Sequence, residues 1–181
     1  MIVTISGRPG SGKSVVAKSV ARELAMGHVS AGDFMREIAA ERGMSILELS
    51  RVAEADPAID LEIDARTRRL AESGTDFVMD ARLGWHFIPS SFKVFLEVEL
   101  EVAAERVFGA GRGAEHENTD FDATREAIRM RTESERTRYL DYYGLDYTKH
   151  SHYDLVVDTS HLTVGDVVAE VSGAVRLRRS G

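Results

Sequence analysis

Two spacings of apolar residues alternate along the chain. Residues 2–6 (Ile-Val-Thr-Ile-Ser) form a short apolar run that predicts a buried strand, closed by a glycine-rich turn. From Lys13 to Met26 the period changes to that of a helix, with Val16, Val20, Ala21 and Leu24 on one face and Gly27 as the expected stop. His28-Val29-Ser30 predicts a second short strand. Residues 33–73 are helical in pattern almost throughout. Gly43 interrupts them once, and Asp56-Pro57 does so again as an N-cap followed by proline at the first helical position. Ser45 and Glu48 have capping-box spacing and start the middle helix of this block.

Strand patterns resume at 76–80 and 92–98, and helical spacing returns from Glu101 to Phe108. Residues 109–122 are polar and glycine-containing and read as a mobile loop. An arginine-rich helix is expected from Asp122 to Tyr142, a last strand at 153–158, and a final helix capped by Thr163 and Asp166 and ending near Val175. Apolar strands alternating with amphipathic helices predict an α/β fold, a parallel sheet with helices on both faces. No repeat or linker divides the chain, so one domain over residues 1–181 is expected.

Gly7-Arg8-Pro9-Gly10-Ser11-Gly12-Lys13-Ser14, followed by Val15, matches G-x-x-x-x-G-K-[ST] in full and stands between a predicted strand and a predicted helix. The glycines let several backbone N–H groups converge on one anion, and the helix N-terminus adds its dipole. Nucleoside triphosphate binding follows, with Lys13 on the β- and γ-phosphates and the Ser14 hydroxyl on Mg²⁺. Asp80 ends the apolar run Phe77-Val-Met-Asp80 and is the expected second metal partner.

Arginines gather where a second anion would lie. Arg36 belongs to the first turns of the helix opened by Ser30-Ala31-Gly32-Asp33-Phe34-Met35-Arg36, and Arg82 follows Asp80 beyond the third strand, at the edge where such sheets bind ligands. Arg131, Glu135 and Arg138 recur at i, i+4, i+7 and share one helix face. Phosphoryl transfer between two anions needs such positive charge at the transferred group. Trp85, the one tryptophan, is expected to pack, and His150 and His152 lack the third ligand a metal site needs.

Composition narrows the partners. The formal charge of −7 argues against a general nucleic-acid binder. No apolar run approaches the roughly 18 residues that cross a bilayer, and the opening residues lack the basic region of a signal peptide. The absence of cysteine excludes disulfides and thiolate chemistry, with a cytoplasmic location as the default. A monomer is expected.

On these motifs the chain resembles the nucleoside monophosphate kinases, specifically the short archaeal-type cytidylate kinases and their bacterial relatives, from Met1 to about Ser160. The Ser30–Arg36 segment is similar to the acceptor-phosphate motif shared by adenylate and cytidylate kinases. Asp80-Ala81-Arg82 resembles the Gly-Arg segment of cytidylate kinases and not the Gly-Phe-Pro-Arg of adenylate kinases. Arg131-x3-Glu135-x2-Arg138, Tyr142-Tyr-Gly-Leu-Asp146 and Tyr153-Asp-Leu-Val-Val-Asp-Thr159 are similar to the lid and final strand of the short enzymes. Ala81 replaces a usual glycine, Glu135 an aspartate of many relatives, and the segment Leu83-Gly-Trp85-His86 is shorter than usual.

The resemblance implies a helical acceptor-binding insertion over about 33–73 and a mobile lid over about 109–142. It also implies lid clamps at Arg131 and Arg138, acceptor-phosphate clamps at Arg36 and Arg82, and Arg106 against the donor's adenine. Ser30, Gly32, Asp33 and Glu135 join the acceptor site. Asp60 or Asp64, one helical turn apart, is a candidate reader of the base, because a carboxylate accepts from the cytosine amine and not from the uracil carbonyl. The expected reaction is Mg²⁺-dependent transfer of the ATP γ-phosphoryl group to CMP or dCMP. AMP or UMP as acceptor, and a non-catalytic ATP-dependent switch, remain as alternatives.

Overall fold

The computed structural model describes residues 1–109 and 120–180. The centre of the expected loop over 109–122, residues 110–119, lies outside the described residues, and so does that part of the implied lid. Five strands, β1 (Ile2–Gly7), β2 (Gly27–Ser30), β3 (Phe77–Asp80), β4 (Phe92–Glu97) and β5 (Leu155–Asp158), form one sheet in the order β2-β3-β1-β4-β5. Every pairing is parallel, as the apolar strand runs predicted. The chain builds first to one side of β1 and then to the other, so β1 carries the switch point of the sheet. Ser30 pairs with Asp80, and Asp80 with Ile5, which brings three strand ends to one rim.

Period-two alternation sorts the side chains between two cores. Val3, Ile5, Val78, Val94 and Leu96 pack under α1 (Lys13–Glu23) and α8 (Val164–Ser180), which supply Val16, Val20, Val171 and Val175. On the other face Phe77 and Met79 meet Phe34 of α2 (Ala31–Glu41). There Phe95 meets Trp85 of α5 (Gly84–Phe87) and Tyr147. Each of the fully buried aliphatic side chains contributes about 1.5–3 kcal/mol.

The helical block over 33–73 resolves into α2, α3 (Ile46–Ala55) and α4 (Ala58–Ala71), with their own apolar cluster of Ile38, Leu49 and Ile59. The breaks are where the sequence placed them. Gly43 has φ 65°, Ser45 and Glu48 form the capping box, and Asp56 Oδ1 accepts from Ala58 N–H at 2.8 Å. Beyond β4, α6 (Leu100–Gly109) packs on α7 (Phe121–Tyr143) through Ala104 and Ile128.

Several details differ from expectation, among them the last strand, which begins at Leu155 and not at 153. Gly27 does not stop α1: the helix ends at Glu23, Ala25 takes the left-handed turn at φ 52°, and Met26 N–H closes on Ala21 O, leaving Gly27 to start β2. α8 continues to Ser180, five residues past the predicted end at Val175. The four-residue α5 was not anticipated, since a single turn displays no periodicity. None of the described helices is long and apolar enough to cross a membrane.

Candidate active site

The glycine-rich loop leaves the end of β1 and wraps over the N-terminus of α1. Gly10 (φ 81°) and Gly12 (φ 82°) adopt left-handed backbone that L side chains rarely take. A Cβ on Gly10 would also stand 2.6 Å from Ala103 Cβ, so no larger residue fits under α6. Lys13 and Ser14 open α1, and Val15 behind them is exposed. The Lys13 ammonium forms an ion pair with the buried Asp80 carboxylate at the end of β3. Burial and the Arg82 guanidinium push the Lys13 pKa down to about 7, with Glu135 opposing; contact with Asp80 favours the charged form.

A cavity of about 400 Å³ opens over this loop. It gathers Lys13, Ser14, Ser30, Gly32, Arg36, Asp80, Arg82, Arg131 and Glu135 from five elements and their loops. Nine of the residues singled out from the sequence therefore meet in one place. Lys18 and His28 complete its wall and were not anticipated. Lys18 is one turn beyond Ser14 on α1 and was legible by spacing, whereas His28 reaches the cavity only because β2 joins the sheet beside β3.

Ser30 and Asp33 build the entrance to α2 as a reciprocal capping box: Ser30 Oγ accepts from Asp33 N–H at 3.0 Å, and Asp33 Oδ2 accepts from Ser30 N–H at 2.9 Å. Asp33 Oδ1 holds the Arg36 guanidinium. Burial would raise the Asp33 carboxyl pKa, but hydrogen bonds from Ser30 and Arg36 hold it below the usual range. Asp33 thus orients the cavity wall through Ser30 and Arg36, both of which line it. Arg36 follows β2, which β3 separates from β1, whereas Arg82 follows β3, which pairs with the loop strand directly.

A second cavity, of about 370 Å³, shares Ala31, Gly32, Ala81, Arg82 and Arg131 with the first and continues between α4 and α7. Its far end holds Asp60, Asp64, Arg138, Tyr139 and Tyr143. Burial raises the pKa of both carboxyls; Arg138 opposes the rise at Asp60. At Asp64 the Tyr143 hydroxyl, which donates at 2.9 Å, opposes it, and the carboxyl still titrates at about 6. Asp60 Oδ2 is buried without a partner among the described residues. Arg138 lies over the Tyr139 ring, 5.2 Å from its centroid, and lines this second cavity but not the first. The i, i+4, i+7 stripe is real, but it spans two compartments instead of pointing at one phosphate.

Other expected contacts lie elsewhere. Arg8 pairs with Glu97 and, with Pro9, lines a separate cleft of about 440 Å³ between the loop, the end of β4 and the α6–α7 pair. Arg106 donates to Thr159 Oγ1 at 3.0 Å and to Thr159 O at 2.5 Å, so its guanidinium is tied to the segment after β5. Trp85 is buried, donates to Arg82 O at 3.1 Å and stacks on His152, as a packing role requires. His150 sits on Glu97 at 3.1 Å. Tyr139, Tyr143 and Tyr147 are further contributors to which the sequence gave no site role; Tyr139 and Tyr143 share a face of α7 at i, i+4, a signal hidden among charged neighbours.

A parallel sheet with the phosphate loop at its switch point, beside two joined cavities edged by arginines, defines a P-loop kinase for small acceptors. Residues 2–161 match the cytidylate kinase-like family; the chain belongs to it, and with it to the nucleoside monophosphate kinases. The cytidylate kinase of Methanothermobacter thermautotrophicus is 40% identical over 160 residues, covering 88% of this chain and 96% of that protein. That of Natronomonas pharaonis is 39% identical over 180 residues, covering 97% and 89%. Among solved structures, shikimate kinase from Aquifex aeolicus superposes with a TM-score of 0.62 at 18% identity, covering 100% of this chain and 99% of that one, a likeness of fold.

Proposed function

We propose that the protein transfers the γ-phosphoryl group of ATP to CMP or dCMP, releasing ADP and the pyrimidine nucleoside diphosphate. The observation that carries this reading is the union of the two cavities through Arg82 and Arg131: an acceptor seated between α4 and α7 presents its phosphate to the space over Lys13. ATP places its β- and γ-phosphates on the loop N–H groups and Lys13. Arg36 and Arg82 receive the acceptor's phosphate, and Arg131 faces the charge that builds on the transferred group. No nucleophilic side chain is required; position and charge supply the rate.

Ser14 and Asp80 offer a hydroxyl and a carboxylate on the same cavity, the hard oxygen donors that suit Mg²⁺. When bound, the ion neutralises phosphate charge; Lys13, paired with Asp80, is the side chain that must then move onto the triphosphate. Base selection is assigned to the Asp60–Asp64 end, where a carboxylate matches the cytosine amine. An assay coupled to ADP release, run with ATP and Mg²⁺ on CMP, dCMP, UMP and AMP, is the test. CMP or dCMP is expected to be used fastest; faster use of AMP overturns the base assignment, and no turnover on any monophosphate overturns the kinase reading.

A further inference from the structure

The hydroxyl of Thr159 stands where the sheet, α6 and the phosphate loop meet. Thr159 follows β5 and is buried. Its Oγ1 accepts from Arg106 Nη1 of α6 at 3.0 Å. It also lies 3.0 Å from Glu97 O at the end of β4 and 3.3 Å from Ser11 O of the loop. One hydroxyl carries one proton, so it serves one carbonyl at a time. Glu97 O already accepts from Thr159 N–H at 2.9 Å. Ser11 O meets no donor except this hydroxyl among the described residues, so the need is greater there.

Ser11 is itself buried, and its Oγ has no partner among the described residues. Its backbone alone anchors this part of the loop: N–H donates to Arg8 O at 3.2 Å, and O accepts from Thr159. A trans peptide sets Ser11 O and Gly12 N–H on opposite edges of one rigid plane. Turning that plane over changes ψ of Ser11 and φ of Gly12, and a glycine accepts either sign of φ. Gly12 stands at φ 82°, and its N–H has no acceptor among the described residues. Such a loop holds phosphate through converging N–H groups, so a turned peptide would offer an oxygen where a donor is required.

Arg106 fixes the hydroxyl in turn. Its Nη2 donates to Thr159 O at 2.5 Å while Nη1 donates to Oγ1, which leaves the hydroxyl proton for the sheet end and the loop. The next residue is held as firmly. Ser160 N–H and Oγ donate to Asp158 Oδ1 at 2.9 and 2.6 Å, and Ser160 Oγ accepts from Glu99 N–H at 2.9 Å. Thr159 therefore has little freedom of its own, and it passes that restraint to the loop.

We infer that Thr159 is a positioning residue for the donor: its hydroxyl, held by Arg106, pins the Ser11–Gly12 peptide and thereby aims Gly12 N–H at the triphosphate. This rests on the phosphotransferase reading above and deepens it at the donor end, through a contact between residues 148 positions apart. A side chain that merely filled space would be replaced by valine, its match in shape, without loss. A hydroxyl needed only for folding would weaken donor and acceptor binding alike.

Calorimetry separates these roles on wild type, Thr159→Val, Thr159→Ser, Arg106→Ala and the double Thr159→Val/Arg106→Ala. ATP is titrated alone, and so is CMP or whichever monophosphate the wild type uses fastest. Thr159→Val is expected to weaken ATP binding about fivefold or more, the scale of one hydrogen bond, with acceptor affinity within about twofold of wild type. Thr159→Ser keeps the hydroxyl and should stay within about twofold for both ligands. In the double, the loss of ATP affinity should fall at least about threefold short of the product of the singles, because one chain of contacts carries both. The Gly12 amide resonance is the local readout: ATP should shift it strongly in wild type and Thr159→Ser and weakly in Thr159→Val.

A smaller loss of ATP affinity in Thr159→Val overturns the inference, as do losses that multiply fully in the double. A Gly12 resonance that answers ATP equally in every variant does the same. Equal losses of ATP and acceptor affinity, following the melting temperature across the two Thr159 variants, assign Thr159 a structural role and also overturn it. A wild type that binds ATP yet phosphorylates no monophosphate would sink the kinase reading instead, and the ATP titrations and the Gly12 resonance would still decide the role of Thr159.

Discussion

Lys13 reaches the phosphate cavity from the first residue of α1, and its ammonium is the one lysine in the loop. Replacing it with alanine removes that charge from the β- and γ-phosphates, and turnover should fall below about a tenth of wild type, more than 1.4 kcal/mol in barrier. Steady-state rates at saturating ATP check this, and survival of higher activity would contradict the assignment. Arg131 and Arg138 of α7 should behave differently from each other. Arg131 lines the cavity over Lys13, and on the proposed reading Arg131→Ala is expected to lower kcat about 10²-fold. Arg138 lines the second cavity and not the first, so on the same reading Arg138→Ala should act chiefly on the acceptor KM. Identical kinetic signatures for both would mean that the two compartments act as one.

The helices that frame the acceptor carry a pH-sensitive join. Asp64 on α4 accepts from Tyr143 at the end of α7, with Arg68 and Asp60 also acting on it. Its carboxyl titrates at about 6 in the folded chain, against about 3.9 for a free aspartate. The folded state holds this proton more tightly, so the group's stabilising contribution is full below about pH 4 and is lost as pH rises through about 6. Asp64→Asn keeps an oxygen for Tyr143 and removes the titration. Urea unfolding midpoints should show the variant gaining on wild type between about pH 4 and 6 and holding a constant lead above it. A gap already as wide at pH 4 would show that the carboxylate is not penalised by burial.

Two cavities that meet at Arg82 and Arg131, yet have separate floors, predict separate binding of donor and acceptor. CMP without ATP, and ATP without CMP, should each raise the melting temperature. At 100 times Kd either ligand stabilises by about 2.7 kcal/mol, roughly 5–10 °C in a chain of this size. A shift with CMP that appears only after ATP is added would mean that the acceptor cavity is assembled by the donor. Against an overall charge of −7, the arginine-edged cavities favour binding of discrete anions over polyanions.

Local rules were enough for much of this architecture. The glycine-rich loop, the capping boxes at Ser30 and Ser45, and the breaks at Gly43 and Asp56-Pro57 are written in adjacent residues, because dihedral limits and orphan N–H groups are satisfied within one turn of chain. Strand runs and helical spacing implied the parallel sheet for the same reason, and the phosphate loop at its switch point followed. Tertiary structure decided whatever depends on partners distant in sequence. The pairing of β2 with β3 brought His28 to the cavity. The packing of α7 on α6 and on the Phe95 cluster set Arg131 on both cavities and Arg138 on the second alone, placed Tyr143 on Asp64, and closed Glu135 on Arg82 across 53 positions. Arg8 and Arg106, which local motif and resemblance assign to the donor, rest on Glu97 and Thr159, partners 89 and 53 positions away. A long cationic side chain has many rotamers, and the carboxylate or carbonyl that the fold sets beside it selects among them.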